Sequence, residues 1–335
     1  MRERNHSIDV FRYLCAIMVV AIHTQPFMEI SPKLSLVFTQ IIPRIAVPFF
    51  FIVAGYFYIN KLEEKKPIFL SYIKRLLKTY VFWSCVYFAI DFIQWGHSSI
   101  KGFVLHCALS FLVNGSHYHF WFFPALIFAV CATTLVYKLK LKKVLLPMSI
   151  ILYTIGCLGC SYRSIGLKIP VLSMLFSWQH FTLIRRIVLM AFPFFAAGLL
   201  AAKAACFIKK RSVSDRTVLL VLFGTICCWL LEIMIVIHFR LKENIIITFG
   251  LYLLTVTVMA VLLRYPLPKA HKLSQKCHIL ADLTYYVHPM VITILTFAAK
   301  AIGGVVLSET IMFILVVAFT LVIGIPYSHY AMRRK

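Results

Sequence analysis

Charged side chains are scarce in this chain, and acidic ones scarcest. Asp, Glu, Lys and Arg make up 14% of 335 residues, and only 11 residues are Asp or Glu. A soluble domain carries about 25% charged residues and is about 45–50% apolar. Here 61% of the residues are hydrophobic, more apolar surface than a soluble globule of this size can hide. The composition excludes an ordinary cytosolic enzyme and a disordered chain, and indicates a polytopic membrane protein. Internal repeats, low-complexity linkers and a second domain are also missing, so one membrane-embedded domain over residues 1–335 is expected. Positive charge is what the chain has in excess: 35 Lys and Arg give a net +24. In a soluble protein that excess points to nucleic acid; in a membrane protein it points to basic cytoplasmic loops. The positions of the charges decide between the two.

A span needs about 20 mostly apolar residues. Ten candidates meet that pattern: Val10–Phe27, Pro43–Ile59, Thr79–Gln94, Phe120–Tyr137, Val144–Cys160, Ile187–Ala205, Thr217–Phe239, Ile245–Leu263, Ile279–Ala299 and Thr310–Tyr330. Gly102–Val113 is apolar but short, and reads as a partial or interfacial helix. With the N-terminus inside, 25 of the 35 basic residues fall in inner loops or at inner span ends. They include Arg2, Arg4, Arg12, the Lys61–Lys78 cluster, Lys138–Lys143, Lys203–Arg216, Arg264–Lys276 and Arg333–Lys335. Outside remain Lys33, Arg44, Lys101, Arg163, Lys168, Arg185, Arg186, Arg240, Lys242 and Lys300. This bias predicts an all-α bundle of about ten transmembrane helices in the plasma membrane, with both termini cytosolic. It removes nucleic acid as a partner and makes the lipid bilayer one.

The first span lacks a small-residue cleavage site and carries polar groups, so it is not read as a cleavable signal peptide. The basic, amphipathic segment Leu62–Lys78 is expected on the inner surface. Ten cysteines are scattered, mostly in spans, where Cys behaves as a small hydrophobe. Cys157 and Cys160 form one CxxC, but a structural zinc site needs two further ligands at matching spacing, and no metal site is expected.

Ionisable groups inside a bilayer are costly and are functional candidates by default. The first span holds Asp9, Arg12 and His23. Eleven residues separate Arg12 from His23, which puts them within about 20° of one helix face and about 16 Å apart along the axis. Arg12 therefore sits near the inner interface and His23 deeper, on one polar stripe. Taken singly, Arg12 reads as a snorkelling anchor and His23 as a helix–helix hydrogen bond; sharing a face weakens both readings. Asp9, three residues before Arg12, is in reach of it.

The second span opens with Arg44, and its Pro48-Phe49-Phe50-Phe51 run reads as packing, with Ala54-Gly55 allowing close helix approach. His117 and His119 precede Trp121 in an aromatic belt and are not at a helical two-His metal spacing. Arg185 and Arg186 lie on the outer side, against the charge trend. Glu232 lies mid-span, where a carboxylate needs a partner or neutrality; Arg44 and Arg186 are the expected partners. His288 lies inside the ninth span, and Pro289 after it predicts a kink turning it inward. Asp282 is expected at the inner start of that span, where a helix N-terminus tolerates a carboxylate.

These residues resemble the acyltransferase type 3 family of membrane-bound acyltransferases. The resemblance rests on Ile8-Asp9-Val-Phe-Arg12 with His23, an Arg-x10-His signature. It continues through Val47–Tyr56, His119-Phe-Trp121-Phe-Phe-Pro124, Phe192-Pro193-Phe194-Phe195 with Gly198, Glu232, and Tyr286-Val-His288-Pro289. It covers essentially the whole chain, in order. Within the family the chain is most similar to the membrane domain of the VanT-type serine racemases of glycopeptide-resistance operons, through Val113–Trp121 and Arg186. One departure from the family pattern is Ala54, where Ser is usual. The 335 residues contain no soluble racemase domain, so racemase activity is not carried over.

The resemblance implies an acyl-CoA donor arriving from the cytosol, with no tightly bound cofactor. An acyl group, acetyl in the first instance, would pass to a hydroxyl of a carbohydrate or cell-envelope acceptor. His23 is then the general base, positioned with Asp9 and Arg12. Arg12 and the basic inner rim suit the phosphates of the donor. Arg44, His119, Trp121, Arg186, Glu232 and His288 would line the acceptor side. The alternative is a VanT-like module for serine uptake, in which Arg186 or Arg44 holds the carboxylate and Glu232 the ammonium group. A third is an inert membrane anchor.

Overall fold

The computed structural model describes residues 5–94, 99–241, 245–267 and 271–333. Arg2, Arg4, Lys242, Lys269, Arg334 and Lys335, which enter the loop assignment, lie outside the described residues. Every regular element among the described residues is helical, as the composition predicts, and the protein is a polytopic helical membrane protein. In chain order the α-helices are α1 (His6–Thr24), α2 (Pro32–Leu36), α3 (Ala46–Glu63), α4 (Phe69–Gln94), α5 (Ile100–Leu109), α6 (Phe122–Lys138) and α7 (Leu145–Leu158). There follow α8 (Arg163–Gly166), α9 (Pro170–Ser177), α10 (Phe181–Arg186), α11 (Phe192–Lys210), α12 (Asp215–His238), α13 (Phe249–Arg264), α14 (His271–Ala301) and α15 (Glu309–Arg333).

Seven helical stretches among the described residues are long and apolar enough to cross a membrane: His6–Thr24, Pro32–Glu63, Phe69–Ile93, Phe181–Lys210, Asp215–His238, His271–Ala301 and Glu309–Arg333. The other three expected spans contain helices of 17, 14 and 16 residues, α6, α7 and α13. These are shorter than the roughly 20 residues a full crossing takes. The short apolar segment Gly102–Val113 falls in α5 and the π-helical turn after it. Leu62–Lys78, the basic amphipathic segment, is not one continuous helix. It is the end of α3, a turn at Glu64–Ile68 and the first turns of α4. Pro67 removes a backbone donor, and Lys65 takes a positive φ of 55°, so no helix continues through it.

By its contacts the chain divides into two compact units. The first comprises Met1–Phe50, Ala204–Ile226 and Leu253–Lys335. Its centre is α1 packed on α14 and α15. α1 starts with Asn5 as cap, its side-chain oxygen accepting from the Ile8 N–H. Arg12 meets His278 and Asp282, and His23 meets His288 further along both helices. α1 and α14 therefore run parallel. α15 runs the opposite way: Thr310 at its start accepts from the Phe27 N–H at 2.8 Å, just past the end of α1. Gly324 further on packs against Leu280 and Leu283.

Residues that the loop assignment puts on one side gather at one end of this unit. Asn5 donates to the Leu262 carbonyl at 2.8 Å, Ser7 to the Tyr265 carbonyl at 2.6 Å, and Tyr265 to Asp215. At the other end are Gln25, Phe27, Glu29, Ser35 and Thr310.

The second unit comprises Phe51–Lys203 and Cys227–Tyr252. Its tightest contact is between α3 and α11. A Cβ on Gly55 would fall on the Phe195 carbonyl oxygen, and one on Gly198 on the Tyr56 backbone nitrogen. Two facing glycines let the backbones touch, as the Ala54-Gly55 pair predicts. The aromatic run packs as expected: Phe51 is fully buried against Trp121 and Phe122. Tyr58, also fully buried, satisfies its hydroxyl on Thr134 at 2.6 Å.

Candidate functional site

In the first unit, one end of the α1–α14 seam is a cluster of four ionisable side chains. The Arg12 Nη2 donates to Asp282 Oδ1 at 3.0 Å, and Nη1 lies 2.6 Å from His278 Nδ1. Asp9 Oδ1 is 3.3 Å from the same His278 nitrogen. Its other oxygen accepts from Ser274 Oγ at 2.6 Å. The sequence pattern singles out Asp9 and Arg12 on α1; the structure adds Ser274, His278 and Asp282 on α14. His278 and Asp282 are four residues apart, so they share a helix face; that spacing is the signal that identifies His278. Asp282 is not at the start of its helix. α14 begins at His271, eleven residues earlier, because the polar stretch before Ile279 continues the helix instead of ending it.

At the other end of the same seam, the His23 and His288 rings stack with centroids 5.4 Å apart and planes 26° from parallel. His23 is exposed on α1, whereas His288 is fully buried. His288 Nδ1 lies 2.9 Å from the Thr284 carbonyl oxygen. A carbonyl only accepts, so Nδ1 carries the ring proton and Nε2 is the basic nitrogen. Pro289 lies inside α14 directly after it and removes the N–H that would bond the Tyr285 carbonyl. The stripe predicted from α1 alone thus has a matching stripe on α14, with ionisable groups facing each other at both ends.

Arg44 belongs to the first unit, where its Nε donates to the Gln40 carbonyl at 3.1 Å. It follows a π-helical turn at Val37–Ile41.

His119, Trp121, Arg186 and Glu232 belong to the second unit. The structure brings Arg186 and Trp121 together: the guanidinium carbon lies 5.4 Å from the centre of the indole ring. His119 Nδ1 is 3.2 Å from His117 Nδ1, and both rings touch Tyr87. π-helical turns stand beside these groups too, at Ser110–Asn114 before His117 and at Ile187–Ala191 directly after Arg186. Such turns leave i→i−4 backbone groups displaced and recur at functional sites. Nothing in residue spacing marks them in advance.

The structure places Glu232 differently from the sequence expectation of an Arg44 or Arg186 partner. Its Oε1 accepts from Tyr162 Oη at 2.7 Å and from the Phe249 N–H at 2.8 Å, and its Oε2 accepts from the Gly250 N–H at 2.5 Å. Phe249 and Gly250 are the first residues of α13. The carboxylate therefore caps a helix N-terminus, where unpaired N–H groups and the helix dipole favour negative charge. Gly250 allows the approach, since a Cβ there would come within 2.7 Å of Glu232 Oε2. Burial and then the bond to Glu232 push the Tyr162 phenol above its ordinary range, so it serves as a neutral donor.

Cys157 and Cys160 are buried thiols not joined in a disulfide. Among the described residues no group of three or more His, Cys, Asp or Glu is placed to hold a metal ion.

The sequence pattern described as "Acyltransferase domain", that of the acyltransferase type 3 family, matches residues 5–329. An amino-acid racemase of Enterococcus faecalis is 30% identical over 337 residues, 97% of this chain and 46% of that protein. Another amino-acid racemase of Enterococcus faecalis is 32% identical over 176 residues, covering 52% and 24% of the two chains. A serine/alanine racemase of Enterococcus gallinarum is 34% identical over 178 residues, 50% of this chain and 25% of its own length. The chain spans less than half the length of these curated relatives. No solved structure matches.

Proposed function

Because this chain belongs to the acyltransferase type 3 family, we propose that it transfers an acyl group, acetyl in the first instance, from acyl-CoA to a hydroxyl of a sugar or cell-envelope acceptor. In this reading it sits in the plasma membrane with both termini cytoplasmic. The observation that carries the proposal is His23: an exposed imidazole on α1, stacked on buried His288 and one polar stripe away from Arg12. His23 takes the proton of the acceptor hydroxyl as its oxygen attacks the thioester carbon. The new C–O bond forms, the C–S bond breaks, and the thiolate of CoA recovers the proton. His288 backs the reacting ring. Asp282 and His278 hold Arg12, which engages the donor, and Asp9 lies against His278. The family resemblance assigns acceptor recognition to Arg44 in the first unit and to His119, Trp121 and Arg186 in the second, where Glu232 fixes the start of α13.

The test is release of free CoA thiol by purified protein with acetyl-CoA and longer acyl-CoAs. Wild type should turn over and His23→Ala should not. A wild type silent on every acyl-CoA would sink the enzyme reading.

A second reading, serine uptake without chemistry, draws on the similarity to a serine/alanine racemase and on the Arg186–Trp121 pair. Arg186 would hold the carboxylate of serine. Glu232, already accepting three protein hydrogen bonds, has one acceptor position left on Oε2 for an ammonium group. Serine counterflow in proteoliposomes, lost in Arg186→Ala, is the expected signature; equal label uptake by empty and serine-loaded vesicles would remove this reading.

A further inference from the structure

We propose that the basic end of the second unit, where α3 passes into α4 and α6 into α7, binds the headgroup of an anionic phospholipid whose acyl chains lie along the exposed apolar faces of α4 and α6. The proposal does not rest on the acyl-transfer reading.

Charge comes first. Residues 61–78 carry six Lys or Arg and residues 138–143 four more, against two acidic residues, Glu63 and Glu64, a net charge of plus eight. All ten basic residues are exposed. Contacts gather the two segments at one end of the unit. Tyr137 Oη donates to Glu63 Oε1 at 2.7 Å, and Lys142 Nζ lies 3.5 Å from Glu63 Oε2. Lys138 Nζ lies 6.0 Å from the centre of the Phe69 ring, at the start of α4. One carboxylate thus ties the end of α3 to the turn after α6. The other, Glu64, meets Lys66 at 2.6 Å. With both carboxylates counted, the end stays strongly positive. The unit's other described acidic residues lie away from it. Asp91 is 13 residues beyond Lys78 along α4, about 20 Å of helical rise. Glu232 bonds Tyr162, past the far end of α7.

Apolar surface comes second. Leu139 and Leu141 alternate with lysines in residues 138–143 and are 57% and 48% exposed. On α4, Leu70, Lys74, Leu77 and Val81 follow at intervals of three or four residues and form one exposed stripe. α3 and α4 belong to stretches long and apolar enough to cross a membrane, so the stripe begins at the level where the chain leaves the bilayer. A free phosphate would leave these leucines in water. A phospholipid covers them with its acyl chains and gives the lysines a phosphate. Long Lys stems reach from apolar surface to a headgroup, and clustered basic residues beside a span attract anionic lipid. Lys65 and Lys140 take φ of 55° and 61° in the two turns, a conformation that favours glycine. Both turns thus carry a charge where the backbone alone would favour a different residue.

The experiment titrates the full chain in detergent with phosphatidylglycerol or phosphatidylcholine and follows bound lipid by native mass spectrometry. Lys74→Gln and Lys78→Gln combined with Lys142→Gln and Lys143→Gln remove four charges from the site. Lys209→Gln, Lys210→Gln and Arg211→Gln together, at the end of α11 and the turn after it, are the control. Wild type should bind phosphatidylglycerol about tenfold more tightly than phosphatidylcholine; the four-site variant should lose that preference and the control should keep it within about threefold. Arg at the same four positions should retain it. Should the four-site variant fail to fold, either pair alone is expected to weaken phosphatidylglycerol binding by about threefold, and binding unmoved in both pairs overturns the site. Equal losses in the four-site and control variants show charge that only orients the chain, and also overturn it. Displacement of bound phosphatidylglycerol by an equal concentration of inorganic phosphate or adenosine 3′,5′-bisphosphate overturns it in favour of a free-phosphate site. All of these readouts are independent of acyl turnover, so failure here leaves the acyltransferase reading standing.

Discussion

His23 lies against His288 with ring centroids 5.4 Å apart, one ring exposed and the other fully buried. The buried ring is held through Nδ1 by the Thr284 carbonyl, 2.9 Å away on its own helix. The exposed ring is therefore supported by a partner with a fixed tautomer and no freedom to turn. This relation links the chemistry assigned to α1 with the half of the site on α14. A parallel pair of helices brings it about, by matching ionisable residues at both ends of one seam.

Removing the His288 donor tests that support. His288→Phe keeps an aromatic ring of similar size against His23 but loses the hydrogen bond to Thr284. Acyl transfer should fall by roughly tenfold to a hundredfold, the scale of a weakened general base, with thermal stability close to wild type. A variant with wild-type kcat would show that stacking alone suffices.

Gly198→Ala should be strongly destabilising. The added methyl meets the backbone of Tyr56 and Gly55, atoms that a rotamer change cannot move. Overpacking of this kind costs about 1–3 kcal/mol, and the unfolding midpoint in detergent should drop accordingly. Gly224→Ala is the control, because nothing lies within 4 Å of its Cβ position.

Glu232→Gln should lower stability through the start of α13. The amide can accept from one donor but turns an N–H group toward another, so a cost of about 0.5–2 kcal/mol is expected, as for loss of a helix cap. Tyr162→Phe should cost less, since the two backbone bonds to Glu232 remain. Equal stability of Glu232→Gln and wild type by thermal unfolding would rule out the capping role.

Arg186 and Trp121 should be coupled. A double-mutant cycle of Arg186→Gln and Trp121→Leu is expected to give about 0.5–2 kcal/mol of interaction in thermal stability, the range for a cation over an indole face. Additive effects of the two substitutions would leave the pair without energetic content.

Acid should loosen the start of α15. The Thr310 hydroxyl first, then Glu29's own backbone, hold the Glu29 carboxyl below its ordinary value of 4.5. Depression of a carboxylate means its contribution is present above that ordinary value and lost as pH falls through the lowered one. The difference in unfolding midpoint between wild type and Glu29→Gln should be present at pH 7 and vanish at the acid end. A difference that is the same at both ends would contradict the assignment.

The membrane class, the helical architecture and the Arg12–His23 stripe follow from the sequence by itself, because hydropathy, loop charge and helical spacing are local quantities. The family pattern was legible for the same reason: its motifs sit within single spans. Glu232 shows the limit. From sequence it was a buried carboxylate in need of a cation, and the structure satisfies it with the Tyr162 hydroxyl and two backbone N–H groups. Backbone donors carry no residue identity, so no sequence pattern announces them. The short helices α6, α7 and α13 and the three π-helical turns belong to the same class, since hydrogen-bond register is set by packing and not by composition. His278 is an intermediate case: its spacing to Asp282 was visible, but its meeting with Arg12, 266 positions earlier in the chain, was not. What only the tertiary structure decided is which helices run side by side and in which direction. That choice places Asp282 and His278 against Arg12 and a second imidazole against His23.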